Sequence, residues 1–129
     1  DKDVSVILID ANSEGVGGGR IDIHRFVDLT ATRAAMLYGI YPRKGTIAVG
    51  ADADLVIVDL NKVKTVTRDM VFMHVGWSIY EGWELKGWPV MTILRGKVMM
   101  EWPEGEANRK IVGEPIGEYL RGDFDRGPS

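Results

Sequence analysis

A chain of 129 residues with 45% hydrophobic content can form one domain around one core. Its net charge of −3 and its scattered basic residues predict no binding surface for nucleic acid or for an anionic membrane. No apolar run approaches the roughly 20 residues of a membrane-spanning helix. Without cysteine the chain cannot form disulfides or thiolate metal sites, and a cytoplasmic location is the expectation.

The first 20 residues combine a strand-like segment with a glycine-rich one. Residues 4–9 have the composition of a β-strand. Residues 13–20 predict a flexible connection. A dinucleotide-binding loop would need a further glycine where this chain has Arg20 or Asp22, so the segment does not predict phosphate binding.

A helical segment is predicted over residues 23–38. Asp22 is a good N-cap residue. Apolar residues from Ile23 to Tyr38 recur at helical spacing, and Gly39 is suited to end the helix. Propensity alone therefore predicts one continuous helix.

Two short strands joined by a tight turn are predicted next, at residues 46–49 and 55–58. The second is an unbroken aliphatic run, which is typical of a strand buried on both faces. Gly45 and Gly50 stand where the chain must reverse. Asp52 can accept hydrogen bonds from backbone N–H groups near the turn.

The rest of the chain predicts further β-structure. Residues 62–67 alternate polar and apolar side chains, as a half-exposed strand does. Residues 68–76 predict a short turn or helix around positions 69–72. Residues 90–100 predict a hairpin that turns at Arg95 and Gly96. Residues 101–110 predict a surface loop because they are polar and include Pro103 and Gly105.

Three of the four tryptophans fall within residues 77–90. A tryptophan cluster can stack nucleic-acid bases, but no basic groove accompanies this one. We predict instead that these aromatic side chains pack against a neighbouring domain or a second subunit. The interface candidates are Trp77, Tyr80, Trp83 and Trp88.

Few residues could carry chemistry. His24 lies on the exposed side of the predicted helix and His74 in a loop, and neither belongs to a metal-ligand spacing. Asp52 and Asp54 offer too few oxygen ligands for a metal ion. No nucleophile is paired with a base. The residues therefore predict no catalytic, substrate-binding or metal-binding side chain.

Two stretches resemble the cyclic amidohydrolases, a group of hydantoinases, dihydropyrimidinases, allantoinases and dihydroorotases. The run from Pro42 to Ile57, PRKGTIAVGADADLVI, is similar to the segment in which these enzymes leave their catalytic barrel and return to a small β-domain. The pattern YEG at residues 80–82, followed by LKGWPV at 85–90, resembles hydantoinases, dihydropyrimidinases and allantoinases more specifically.

The resemblance implies a mixed α+β fold. Its small β-sheet or sandwich domain would be preceded by short helices from the edge of a missing TIM-like barrel. Residues 1–40 would be the helical remnant of the barrel end, 41–120 the β-rich domain and 121–129 a flexible tail. The helical segment would be two shorter helices, broken near residues 30–32 with Thr32 capping the second. The start at Asp1 without methionine agrees with a piece of a longer enzyme.

In hydantoinase-like enzymes two zinc ions are held by barrel residues upstream of the matching segment. The resemblance therefore implies no metal or cofactor on this chain, and binuclear zinc only in an intact parent that hydrolyses a ring C–N bond of a cyclic amide. This chain would supply scaffold and interface to the barrel domain or a second subunit of a homo-oligomer. The alternative is a non-catalytic assembly module, as in dihydropyrimidinase-like proteins that lost the metals. Metal ligands in the upstream sequence would decide between the two.

Overall fold

A computed structural model of the protein describes residues 11–70, 78–106 and 108–123. Within them four strands form an antiparallel sheet in the order β1-β2-β3-β4, with short helices preceding it. The strands are β1 Leu55–Thr65, β2 Glu84–Leu94, β3 Lys97–Glu101 and β4 Lys110–Ile111. A mixed α+β fold with a small sheet is therefore confirmed. The segment with strand composition at residues 4–9 lies outside the described residues.

The hairpin between β2 and β3 turns where the sequence predicts it. Leu94 pairs with Lys97, which leaves Arg95 and Gly96 as a two-residue loop. Both have positive φ, 47° at Arg95 and 78° at Gly96. This is the combination that a type I′ turn requires, and the turn's twist matches that of the flanking strands.

Strand β1 joins two predicted strands into one. Leu55 lies opposite Ile93 and Thr65 opposite Glu84, with irregular pairing between Asp59 and Val63. The expectation that residues 55–58 are buried on both faces is wrong, because the Val56 side chain is 61% exposed. In the described part of the chain, β1 is an edge strand and pairs only with β2.

The prediction of a strand at residues 46–49 is also wrong. These residues form bends and turns, and Ile47 is 87% exposed. The backbone makes local bonds instead of a ladder, since Ala51 N–H donates to Ala48 O over 3.1 Å. Gly50 has φ 91°, so the chain reverses before a strand can form.

Helical structure is already present before Asp22. A π-helical turn covers Ala11–Gly17, where the sequence predicts a flexible connection that starts at Ser13. Its backbone bonds continue beyond that turn, because Arg20 N–H donates to Gly15 O over 2.8 Å. Ser13 Oγ accepts a bond from the backbone N–H of Lys86 over 3.0 Å, which ties this turn to the sheet. A side-chain anchor of this kind leaves no signal in local composition.

Two short helices follow, α1 Ile23–Val27 and α2 Arg33–Leu37, separated by a π-helical turn at Asp28–Thr32. The predicted break is therefore in the right place. Asp22 caps α1 as predicted, since its Oδ1 accepts a bond from Arg25 N–H over 2.8 Å. Thr32 does not cap α2, because its hydroxyl donates to Gly45 O over 2.8 Å.

The core of the described residues lies beside the sheet, where β1 and β2 reach Thr65 and Glu84. It consists of buried Val66, Leu85, Trp88 and Trp102, with Met70 and Tyr80 packed against it. A 3₁₀ turn at Arg68–Met70 carries Met70, as the short turn or helix predicted after β1 would. Among the described residues, no helix is long and apolar enough to cross a membrane.

Candidate functional site

The predicted aromatic interface divides into a buried part and an exposed part. The Trp88 side chain is 2% exposed and meets Trp102 edge to face, with 5.5 Å between the ring centroids. Its Nε1 donates to Leu85 O over 2.7 Å, so the polar atom of the buried ring is satisfied. The expectation that Trp88 faces a partner is corrected, because Trp102 covers it from within the same chain.

The other part consists of exposed Ile79 and Trp83 with half-buried Tyr80 between them in sequence, and we call these three residues the aromatic patch. The rings of Tyr80 and Trp83 pack edge to face at 5.5 Å between centroids. Trp83 remains 49% exposed and Ile79 68% exposed. Exposed apolar side chains of this kind are commonly found where proteins associate. Trp77 lies outside the described residues.

A charged corner lies at the opposite end of the β1–β2 ladder. It comprises Arg43, Lys44, Asp52, Asp54 and Arg95. Lys44 Nζ is 2.8 Å from Asp52 Oδ2 and also bonds the carboxylate of Asp54. Arg43 Nε donates to Asp52 over 2.9 Å, and the backbone N–H of Arg95 donates to Asp54 over 2.8 Å. The corner therefore joins the loop before β1 to the hairpin between β2 and β3.

The charges of this corner perturb one another. Burial by itself lowers the pKa of Lys44, but hydrogen bonds to Asp52 and then Asp54 outweigh it, so that the pKa lies above its ordinary 10.5. The pKa of Asp52 lies below its ordinary 3.8, first because of the hydrogen bond from Lys44 and then because of that from Arg43. Lys44 and Asp52 are therefore both charged at neutral pH, and neither is suited to proton transfer.

An open cavity of about 240 Å³ lies between α2 and this corner. One wall is apolar and comes from the helical region, and the other carries the ion pairs of the corner. Because Lys44 is already held by two carboxylates, its ammonium group is not a free nucleophile or base in this cavity. The lining residues that matter here are Ala31, Ala34, Ala35, Tyr38, Lys44 and Asp52.

The residues present do not fit a metal centre. His24 is exposed on α1, and His74 lies outside the described residues. The carboxylate of Asp52 forms ion pairs with Arg43 and Lys44, and the carboxylate of Asp54 forms an ion pair with Lys44. Across residues 11–70, 78–106 and 108–123, no group of three or more histidine, aspartate or glutamate side chains is arranged to hold a metal ion.

A family model described as the amidohydrolase family matches residues 7–99. The chain belongs to the amidohydrolase family. Across most of its length it is also similar to curated members. It is 41% identical over 110 residues to D-hydantoinase from Geobacillus stearothermophilus, a match that covers 84% of this chain and 22% of that protein. It is 42% identical over 87 residues to dihydropyrimidinase-related protein 5 from Homo sapiens, covering 67% of this chain and 15% of that one.

A solved structure of an amidohydrolase of this kind supports the fold. D-hydantoinase (dihydropyrimidinase) from Thermus sp. superposes with a TM-score of 0.69 at 43% identity, covering 83% of this chain and 22% of that one. The resemblance to hydantoinases and dihydropyrimidinases inferred from residues 42–57 and 80–90 is thereby confirmed. The chain spans about a fifth of the length of the D-hydantoinases it matches.

Sequence reasoning misses Trp102 and the two lysines that flank it. Composition assigns Trp102 to a surface loop because Pro103 and Gly105 follow it, yet its side chain is 4% exposed. Lys62 and Lys64 place their ammonium groups 4.4 and 4.5 Å from the centroid of its ring. The alternation at residues 62–67 is the available signal, since residues two apart on a strand share a face.

Proposed function

We propose that this chain is the C-terminal part of a metal-dependent cyclic amidohydrolase that hydrolyses a ring C–N bond, as a hydantoinase or dihydropyrimidinase does. The observation that carries the proposal is identity of 41% to a D-hydantoinase over 84% of this chain but only 22% of that protein. Within the parent, this part would serve as scaffold and interface, and the zinc ligands would come from the remaining sequence.

The exposed apolar side chains of the helical region support a scaffold role. Several face outward although they follow helical spacing, which is the pattern of a helix packed against a further layer. We propose that the barrel of the parent is that layer, and that residues 1–40 belong to its edge. The exposed side chains are Ile23, Val27, Leu29, Met36, Leu37 and Tyr38.

The aromatic patch supports an interface role. Large aromatic side chains with their polar groups at the rim are enriched where proteins associate. Tyr80 holds the ring of Trp83 at 89° to its own, so the patch is pre-ordered and loses little side-chain entropy on contact. We propose that it packs on the barrel or on a second subunit of a homo-oligomer.

A chimera tests the scaffold proposal. The 110 residues of Geobacillus D-hydantoinase that match this chain would be replaced by the corresponding residues of this chain, and hydantoin hydrolysis and zinc content would be measured. We expect a folded enzyme with bound zinc and activity within about tenfold of the parent, because the replaced segment would contribute no zinc ligand. The 129-residue chain alone should show neither zinc in stoichiometric amount nor turnover. Turnover by the chain alone, or a folded zinc-free chimera, would overturn the proposal.

A second candidate is a non-catalytic assembly module. It is favoured by the 42% identity to dihydropyrimidinase-related protein 5, which is as high as the identity to D-hydantoinase. Sequence identity in this portion therefore does not distinguish the enzyme from the non-catalytic assembly module. An H-x-H pair, a mid-chain lysine, further histidines and an aspartate encoded upstream would decide for the enzyme.

A further inference from the structure

The segment that follows β4 has no regular secondary structure, yet the rest of the chain holds it at three places. We call residues 112–123 the strap. At its start, the backbone N–H groups of Val112 and Gly113 both donate to Met99 O, over 3.0 and 3.3 Å. A Cβ atom on Gly113 would lie 2.8 Å from Val98 O, so glycine allows the strap to lie this close to β3.

The middle of the strap is held by Arg95, one of the two residues of the β2–β3 turn. Its guanidinium donates to Ile116 O, and its Nη1 lies 3.1 Å from Glu118 Oε1. A guanidinium carries several N–H donors in a fixed fork, so it can bond a carbonyl and a carboxylate at the same time. The backbone N–H of the same arginine donates to Asp54. The turn therefore connects the charged corner to the strap.

The end of the strap meets the chain just beyond α2. The backbone N–H of Asp123 donates to Gly39 O over 2.7 Å. Gly39 has φ 65°, and a Cβ atom there would lie 2.7 Å from Asp123 O. Glycine is therefore needed at this position for the close approach of the strap, and not only as the residue that ends a helix.

We propose that the strap fixes the end of α2 relative to the β2–β3 hairpin, and that in the parent enzyme it fastens the edge of the barrel to the small domain. The strap is bonded to the sheet at β3 and at the turn, and to the helical region at Gly39. The second statement rests on the proposed function, in which residues 1–40 belong to the barrel edge. Because the barrel would carry the zinc ligands, a released strap should lower activity by misplacing groups without removing a ligand.

Tryptic cleavage of the 129-residue chain after Arg121 tests the strap itself, because this peptide bond lies between two of the attachments and must detach before a protease can bind it. Gly39→Ala should accelerate this cleavage several-fold. Gly50→Ala is the matched control, since Gly50 also has positive φ, 91°, but nothing lies within 4 Å of its Cβ position. Peptide mass spectrometry measures the rates, and circular dichroism establishes that both variants are folded. Equal rates in the two variants would overturn the proposal.

A second variant removes the middle attachment and leaves both glycines in place. Arg95→Met loses the bonds to Ile116 and Glu118, and Lys97→Met removes a positive charge two residues away without touching the strap. Cleavage after Arg121 should be several-fold faster in Arg95→Met and near the original rate in Lys97→Met. No acceleration in Arg95→Met would contradict the attachment through the turn.

The chimera with Geobacillus D-hydantoinase, extended to include Asp123 of this chain, tests the fastening of the barrel. We expect Gly39→Ala in that chimera to keep its zinc and to lose hydantoin hydrolysis several-fold, whereas Gly50→Ala stays near the activity of the unsubstituted chimera. Equal activity of the two alanine variants would overturn the fastening of the barrel. A chimera that is inactive before either substitution would instead overturn the proposed function, and the cleavage rates of the 129-residue chain would still decide whether the strap is attached.

Discussion

The two ends of the β1–β2 ladder are held by different forces. At the end where Thr65 faces Glu84, the sheet meets an apolar core around Trp88 and Trp102. At the end where Leu55 faces Ile93, the neighbours are the ion pairs of the charged corner, and Val56 remains exposed. The same two strands thus adjoin buried apolar side chains at one end and ion pairs at the other. An aliphatic run in the sequence does not by itself tell which end it occupies.

The largest expected effect comes from the core end. Trp88→Ala removes a ring that is 2% exposed and leaves a cavity beside Trp102. We expect a loss of about 3–5 kcal/mol in the free energy of unfolding, a large share of the roughly 5–15 kcal/mol that holds a domain together. Urea unfolding followed by circular dichroism measures it. Trp83→Ala is the matched control and should change stability much less, so equal losses would refute the division of the tryptophans into core and surface.

The division of the tryptophans also shows how far the sequence can predict the fold. The hairpin at Arg95 and Gly96 and the cap at Asp22 follow from local chemistry, so the sequence predicts both correctly. The burial of Trp88 depends on Trp102, a residue beyond the β2–β3 hairpin, and local composition contains no signal of that contact. Residues 46–49 have strand composition but make turns, because a strand also needs a partner ladder.

The candidate site is less predictable than the fold. The sequence predicts that Asp52 accepts backbone N–H groups, yet it accepts the side chains of Arg43 and Lys44. Asp54 bonds a backbone N–H that is 41 residues away in sequence. Such partners are set by how the loop before β1 meets the β2–β3 hairpin. Patterns in a single sequence describe residues that are close along the chain, and not distant residues that the fold brings into contact.

Association should depend on the surface beyond the core end. Trp83→Ala removes the largest side chain of the aromatic patch, and interface anchors of this kind commonly contribute about 1–2 kcal/mol or more. We expect the 129-residue chain to self-associate and the variant to do so more weakly, as measured by analytical sedimentation at micromolar concentration. Tyr119→Ala is the control, since Tyr119 is exposed and lies outside the patch. A monomeric parent chain, or equal weakening in both variants, would exclude the patch as the interface.

The corner end should respond to pH where the core end does not. Asp52 has a lowered pKa, so its contribution to stability is complete above 3.8 and is lost as pH falls through the lowered value. Lys44 has a raised pKa, so its contribution is complete below 10.5 and is lost as pH rises through the raised value. Between these limits Lys44 and Asp52 are both charged.

Lys44→Met tests this pH dependence. We expect a loss of about 1 kcal/mol at neutral pH, because the ion pairs are partly open to water and their net contribution is modest. Both the acid and the alkaline decline in unfolding free energy should become shallower than in the parent chain. Lys97→Met is the control for removing a charge elsewhere. A variant that keeps the parent's alkaline decline would show that Lys44 is not the group responsible.

The smallest effect should come from a substitution within residues 55–58, which the sequence pattern alone places in a strand buried on both faces. Val56→Asp places a carboxylate on a residue that is 61% exposed on an edge strand. Water still reaches the charge there, so we expect a change of about 0.5 kcal/mol or less in the free energy of unfolding. Leu85→Asp is the matched change at the core end, where the side chain is 1% exposed and an unpaired charge costs several kcal/mol. Unfolding of Val56→Asp in the 129-residue chain would mean that another layer covers β1, for example a second copy, and sedimentation of the parent chain at the same concentration would identify that layer.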